Sequence, residues 1–237
     1  MTSLNANALT TLDAVKLELG LSSSEFDDDD YICSQINFAS ALIEDFIGRK
    51  LAYESGVVER VAGYGGNRIH VTKKLPIIGD ITSIEFTNGA AVSFPVDVAD
   101  VRIENAEIGS LYYRGGFPWT VPRQLSTLSG DPLPGQEDQP IEVTYDGGWV
   151  LPASTPTGEQ VALPLAIERA CILVTTQAYN RRGDDRSISG ERLMSYSVTY
   201  VGAGSTATQF AGTPFAAFPP DVIAMLTPYR CIPQSSV

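Results

Sequence analysis

Any chemistry in this 237-residue chain has to start from one histidine, three cysteines and an excess of carboxylates. A lone His70 excludes a multi-histidine metal site and a pair of catalytic histidines, and its alternating context Arg68-Ile69-His70-Val71 reads as an ordinary strand. Cys33, Cys171 and Cys231 are far apart and odd in number, which gives neither zinc-ligand spacing nor a disulfide framework. Cys33 and Cys171 fall in helical patterns, where a free thiol acts as a small apolar group and suits a reducing compartment. Asp27-Asp28-Asp29-Asp30 lacks the calcium-loop pattern with its distal glutamate and reads as a helix start, where acidic residues meet the positive end of the dipole. Gly63-Tyr64-Gly65-Gly66 is followed by no Lys-Ser/Thr and no helix, so it reads as a hairpin loop and not as a phosphate cradle. Carboxylate pairs such as Asp184-Asp185, or Glu142 with Asp146, have the residue types for glycoside hydrolysis, but they are commonplace in an acidic chain. We expect no enzyme activity, no cofactor and no metal.

The elements around these residues change period twice. Thr10 or Thr11 caps a short helix carrying Leu12, Val15 and Leu19, and Gly20 ends it. A second helix repeats Ile32, Ile36, Ala39, Ile43 and Ile47 along one stripe, with Phe38, Leu42 and Phe46 beside it, and stops at Gly48. So wide an apolar face needs neighbours on two sides. From Val57 the period becomes that of strands. Ile81–Phe86 and Ala91–Phe94 flank Asn88-Gly89, a strong hairpin signal. Asp100–Ile103 and Gly109–Tyr113 form the next pair, a Pro/Gly-rich loop spans 127–140, and Ile141–Tyr145 closes the series. Helix then resumes at Leu163-Pro164 for about 20 residues, or about 30 Å, with Arg181 and Arg182 in the last turn and Gly183 just beyond it. Leu193–Val201 is extended, 202–218 has no period, and Pro219-Pro220-Asp221 opens a short last helix.

This predicts an α+β fold: residues 1–56 and 151–237 as a small helical bundle with an extended C-terminal arm, and 57–150 as an inserted antiparallel β module. A 43% hydrophobic and 19% charged composition is globular. The net charge of −12 argues against tight wrapping of nucleic acid, yet suits a wall past which DNA slides without specific binding. The N-terminus shows no signal-peptide pattern and no stretch approaches about 20 apolar residues, so no membrane association is expected.

Several phrases occur in an order that resembles the head–tail connector (adaptor) proteins of long-tailed bacteriophages. They are Leu12-Asp13-Ala14-Val15-Lys16 before Gly20-Leu21, Ile43–Leu51, Leu75-Pro76-Ile77-Ile78-Gly79-Asp80-Ile81, Val143–Trp149, the helix with Pro164 and Ala170, and Gly183-Asp184-Asp185 before Glu191-Arg192 and Ser195-Tyr196-Ser197. The resemblance implies a structural virion protein at the capsid–tail junction, made in the host cytoplasm. Copies would form a ring of about a dozen beneath the portal, continuing the DNA channel and receiving a head-completion (stopper) or tail protein. Many members carry a short link where this chain has its β module. Under this resemblance Phe215, Phe218, Asp221, Tyr229 and Arg230 are the expected contacts to the portal or a neighbouring copy, and Arg181, Arg182, Asp184 and Asp185 the expected ring contacts. The alternative is a tail-completion or tail-tip module whose β domain recognises a protein or a glycan.

Overall fold

Thr11 begins the first helix as its side chain accepts a hydrogen bond from the Ala14 amide, and α1 runs Leu12–Leu19 to a left-handed Gly20 at φ 71°. The chain is described by a computed structural model covering residues 3–63, 65–87, 93–117, 141–182, 190–193, 196–199 and 218–230. Helix α2 spans Asp29–Ile47 and ends at Gly48, φ 83°. The strands follow: β1 Glu54–Val61, β2 Arg68–His70, β3 Ile77–Thr87, β4 Ser93–Pro95, β5 Val101–Asn105, β6 Ser110–Tyr113 and β7 Ile141–Gly147. Then come α3 Leu165–Asn180, β8 Gly190–Leu193, β9 Tyr196–Thr199 and α4 Pro220–Leu226. At 16 residues α3 is shorter than its sequence pattern suggested, about 24 Å.

Cα packing divides the chain into two units, one of residues 1–48, 151–155 and 163–237 and one of 49–150 and 156–162. In the helical unit the α2 stripe read from the sequence is fully inside: Ile32, Ile36, Ala39, Ile43 and Ile47 are all buried. Ala8, Val15 and Ile172 join Ile32 and Ile36 in a core that Leu12, Leu19 and Tyr179 cover. The neighbouring stripe divides. Phe46 is buried, Leu42 is half-buried and Phe38 is exposed.

In the β unit every strand ladder is antiparallel, in sheets ordered β1-β7-β3-β4 and β2-β6-β5. Strand β7 alternates buried and half-buried residues along its whole length, as its sequence period required. The pairing of Phe86 with Phe94 sets the register of the expected hairpin, whose turn lies outside the described residues. Gly63–Asn67 is not a hairpin loop, because the strands it joins, β1 and β2, belong to different sheets. Both sheets drain into one core of Val57, Ile69, Val71, Leu75, Ile84, Leu111, Val143 and Tyr145 among others.

The phrases that carried the family resemblance hold this unit together. Tyr145 is buried and its hydroxyl donates to Glu59 Oε2 at 2.7 Å while accepting from the Lys74 amide at 3.1 Å. Glu59 also accepts from the Thr72 and Lys73 amides, at 2.8 and 2.9 Å, so one carboxylate gathers β1, β7 and the 72–74 turn. Burial first, and the Glu59 carboxylate second, push the Tyr145 hydroxyl pKa far up, so it stays a donor. A Cβ at Gly147 would lie 2.6 Å from the Lys74 carbonyl oxygen, and one at Gly148, φ 102°, would lie 2.7 Å from that of Ala52.

Candidate functional site: assembly surfaces of the helical unit

The C-terminal helix is seated by its apolar side. Val222 and Leu226 of α4 are buried, and Phe218, 1% exposed, meets the Phe46 ring edge-on with centroids 5.8 Å apart. The Arg230 guanidinium lies 5.1 Å from the centroid of the same Phe46 ring. Phe218 is therefore part of the chain's own core, whereas Asp221 and Arg230 are exposed and Tyr229 is half-buried. Phe215 lies outside the described residues.

At the other end of the unit Arg182 is engaged within its own chain. Its guanidinium pairs with Asp28 and stacks over Tyr31 at 5.1 Å and Tyr179 at 6.0 Å. Tyr179 donates its hydroxyl to the other Asp28 oxygen at 2.6 Å. Asp28 thus makes no side-chain cap on α2, although it occupies the cap position. Hydrogen bonds from Arg182 and then Tyr179 hold its carboxyl below the usual range, and Asp28 raises the Tyr179 hydroxyl in turn. The aspartate run therefore does more than meet a helix dipole. Asp28 ties the start of α2 to the end of α3, and Asp29 pairs at 2.6 Å with the buried Lys16 ammonium. Lys16 also donates to the Glu25 carbonyl at 2.6 Å and lies over Phe26 at 5.1 Å. The Asp28 tie was not legible in the sequence, since its partners lie about 150 residues away. Arg181 is half-buried, and Asp184 and Asp185 lie outside the described residues.

Apolar surface remains on this unit. Leu17 is 81% exposed and Leu165 79%, on helices joined by a bidentate pair in which Arg169 donates to both Glu18 oxygens at 2.6 and 2.8 Å. Phe26 and Phe38 are exposed as well. From Ala170 to Asn180 helix α3 carries no charged residue, and Leu173, Val174 and Gln177 are half-buried. Depletion of charge beside exposed apolar side chains is the composition of an interface core.

The chemical candidates are dispersed. Glu142 pairs with Arg60 at 3.1 Å, and Asp146 accepts from the Gly56 amide at 2.7 Å and the Tyr53 hydroxyl at 3.1 Å. These two carboxylates stand four residues apart on one strand, about 13 Å along it, too far for a catalytic pair. His70 is half-buried in β2 opposite Ser110. The Cys171 thiol is pushed up to about 12 by burial, so it is inert as a nucleophile. Among the described residues no group of three or more His, Cys, Asp or Glu could hold a metal ion, and no helix is long and apolar enough to cross a membrane.

Residues 9–86 match the family model described as "Phage gp6-like head-tail connector protein". No protein among those of curated function matches the chain. Among solved structures the fold is similar to a chain in the neck of an empty gene transfer agent (GTA) particle with C6 symmetry, at a TM-score of 0.52 and 17% identity, covering 100% of this chain and 96% of that one. It is also similar to a chain in the virion of the native gene transfer agent particle, at a TM-score of 0.51 and 18% identity with the same coverages. At that identity the likeness speaks for the mixed α+β fold, which agrees with the fold class read from the sequence.

Proposed function

We propose, from the match of residues 9–86 to the gp6-like head-tail connector model, that this chain is a structural adaptor of the neck of a virion. The observation that carries the proposal is that match, which takes in α1, α2 and the first three strands. The fold shared with chains of a particle's neck and virion supports it. Copies form a closed ring of about a dozen by head-to-tail contacts, one face receiving the portal and the other a stopper or tail protein. The exposed leucines and the uncharged length of α3 supply apolar area for such contacts, and the net charge of −12 keeps DNA from adhering as it passes.

Within this role the helical unit is the ring-forming body and the β unit an insertion. Exposed Asp221 and Arg230 and half-buried Tyr229 are the proposed C-terminal portal contact, together with Phe215. Arg181, Asp184 and Asp185 are the proposed contacts to a neighbouring copy, while Arg182 braces the end of α3 against Asp28. Density for this chain at the capsid vertex in an electron-microscopy map of the particle, together with co-sedimentation with portal complexes, is the expected result. A map that places it at the tail tip would replace the adaptor with a binding module.

A further inference from the structure

A helix face that looks into water carries charged and polar residues. The outer stripe of α2 has its charges only at the two ends. Asp30, Ser34, Phe38, Ala41 and Asp45 follow one another at helical spacing and are all exposed, yet Tyr31–Ile43 contains no charged residue. Phe38 is the one large side chain of that neutral stretch, set between a serine and an alanine. A second neutral patch crosses from α1 to α3. Leu17 and Leu165 are exposed there, beside the bidentate pair in which Arg169 cancels the charge of Glu18. Helices α1, α2 and α3 pack pairwise around the core of Val15, Ile32, Ile36 and Ile172, which sets α2 opposite the seam between the other two. The Phe38 stripe and the leucine seam therefore lie on opposite sides of one bundle.

We propose that the Phe38 face of α2 in one copy seats on the Leu17–Leu165 seam of the next copy. The inference rests on the ring reading given above and names its contact. Charge selects the occupant. A chain of net charge −12 repels its own copies. Copies of like charge approach most easily where charge is absent or cancelled, and the α2 stripe and the α1–α3 seam are two such places. Nucleic acid does not fit the seam, because its one cation, Arg169, is held by Glu18. Two different patches on opposite sides make the contact head-to-tail, and one rotation repeats it from copy to copy until a ring closes. A foreign partner would need only one of them. Phe38 supplies an aromatic anchor, a residue type enriched at the centre of interfaces, while Asp13, Asp30 and Asp45 form a charged rim that stays in water.

The test uses full-length protein carrying Cys231→Ser, in three versions with Phe38→Cys, Leu17→Cys or Leu165→Cys. Cys33 and Cys171 stay, since both are buried, and the three added thiols are at exposed positions where the bundle keeps its packing. Each seam variant is mixed with the Phe38→Cys variant, assembled on portal complexes, treated with a short bismaleimide and run on a denaturing gel. Covalent dimers from at least one mixture, and none from any variant alone, are expected. In parallel, Phe38→Asp should keep its Tm and fail to enter rings. Links in the Phe38→Cys sample alone, links to the portal, no links in rings visible by electron microscopy, or normal ring entry by Phe38→Asp would each overturn this contact and leave the ring standing. Failure of the unsubstituted protein to form rings would remove the ring reading, and this contact with it.

Discussion

At the scale of single residues the molecule is held by carboxylates that reach across the sequence. Tyr145→Phe removes a hydroxyl that both donates to Glu59 and accepts from Lys74, leaving the Lys74 amide without that acceptor. We expect a loss of about 1–3 kcal/mol, read from urea unfolding of the β unit's near-ultraviolet signal. Glu59→Gln should cost less in the Tyr145→Phe background than alone, because the two groups act through one hydrogen bond. Acid should also weaken the fold in a defined window. Asp28, Glu18 and Glu104 have lowered pKa values, in each case chiefly from an arginine hydrogen bond. Depressed carboxylates contribute stability that is complete above the ordinary pKa near 4 and fades as pH falls through the lowered values. Arg182→Ala should flatten the part of that acid limb due to Asp28, seen as a shallower fall of Tm between about pH 5 and 3.

At the scale of elements, the α4 segment is a packed part of the bundle and not a free arm. Phe218→Ala empties a buried ring site against Phe46 and should cost about 3–5 kcal/mol, with faster amide exchange across α4 and the end of α2. Loss of neck incorporation in Asp221 or Arg230 variants, with Tm unchanged, would separate docking from packing. The helices were legible because caps and period agree: Thr11 and Gly20 for α1, the isoleucine stripe and Gly48 for α2. Strands were legible wherever alternation is strict, as in β7. What stayed hidden was pairing. Nothing local in Arg68–His70 says that it joins β6 instead of the preceding β1, since partner choice is settled by a core gathered from distant strands. The exposed apolar surface was half legible: an apolar excess is visible in composition, but only packing shows that Phe46 and Phe218 satisfy one another while Phe38, Leu17 and Leu165 do not.

At the scale of the whole molecule, the sequence enters the β unit at Arg49, leaves it after Val150 and returns to it only for 156–162. Those two ends are fastened side by side. Ala52 bridges Trp149, the Tyr53 amide donates to the Trp149 carbonyl at 2.8 Å and the Trp149 amide to the Leu51 carbonyl at 2.8 Å. The Arg49 guanidinium lies 5.5 Å from the Trp149 ring centroid. Such a clasp makes everything beyond it a cassette. Joining Tyr53 to Gly148 through a few glycines and serines should leave a smaller protein with the helical circular-dichroism signal and one cooperative thermal transition; loss of that transition would show the clasp cannot stand alone. A lineage that retains the clasp is free to enlarge, trade or discard its cargo of strands, so novelty arises by insertion at one fixed doorway.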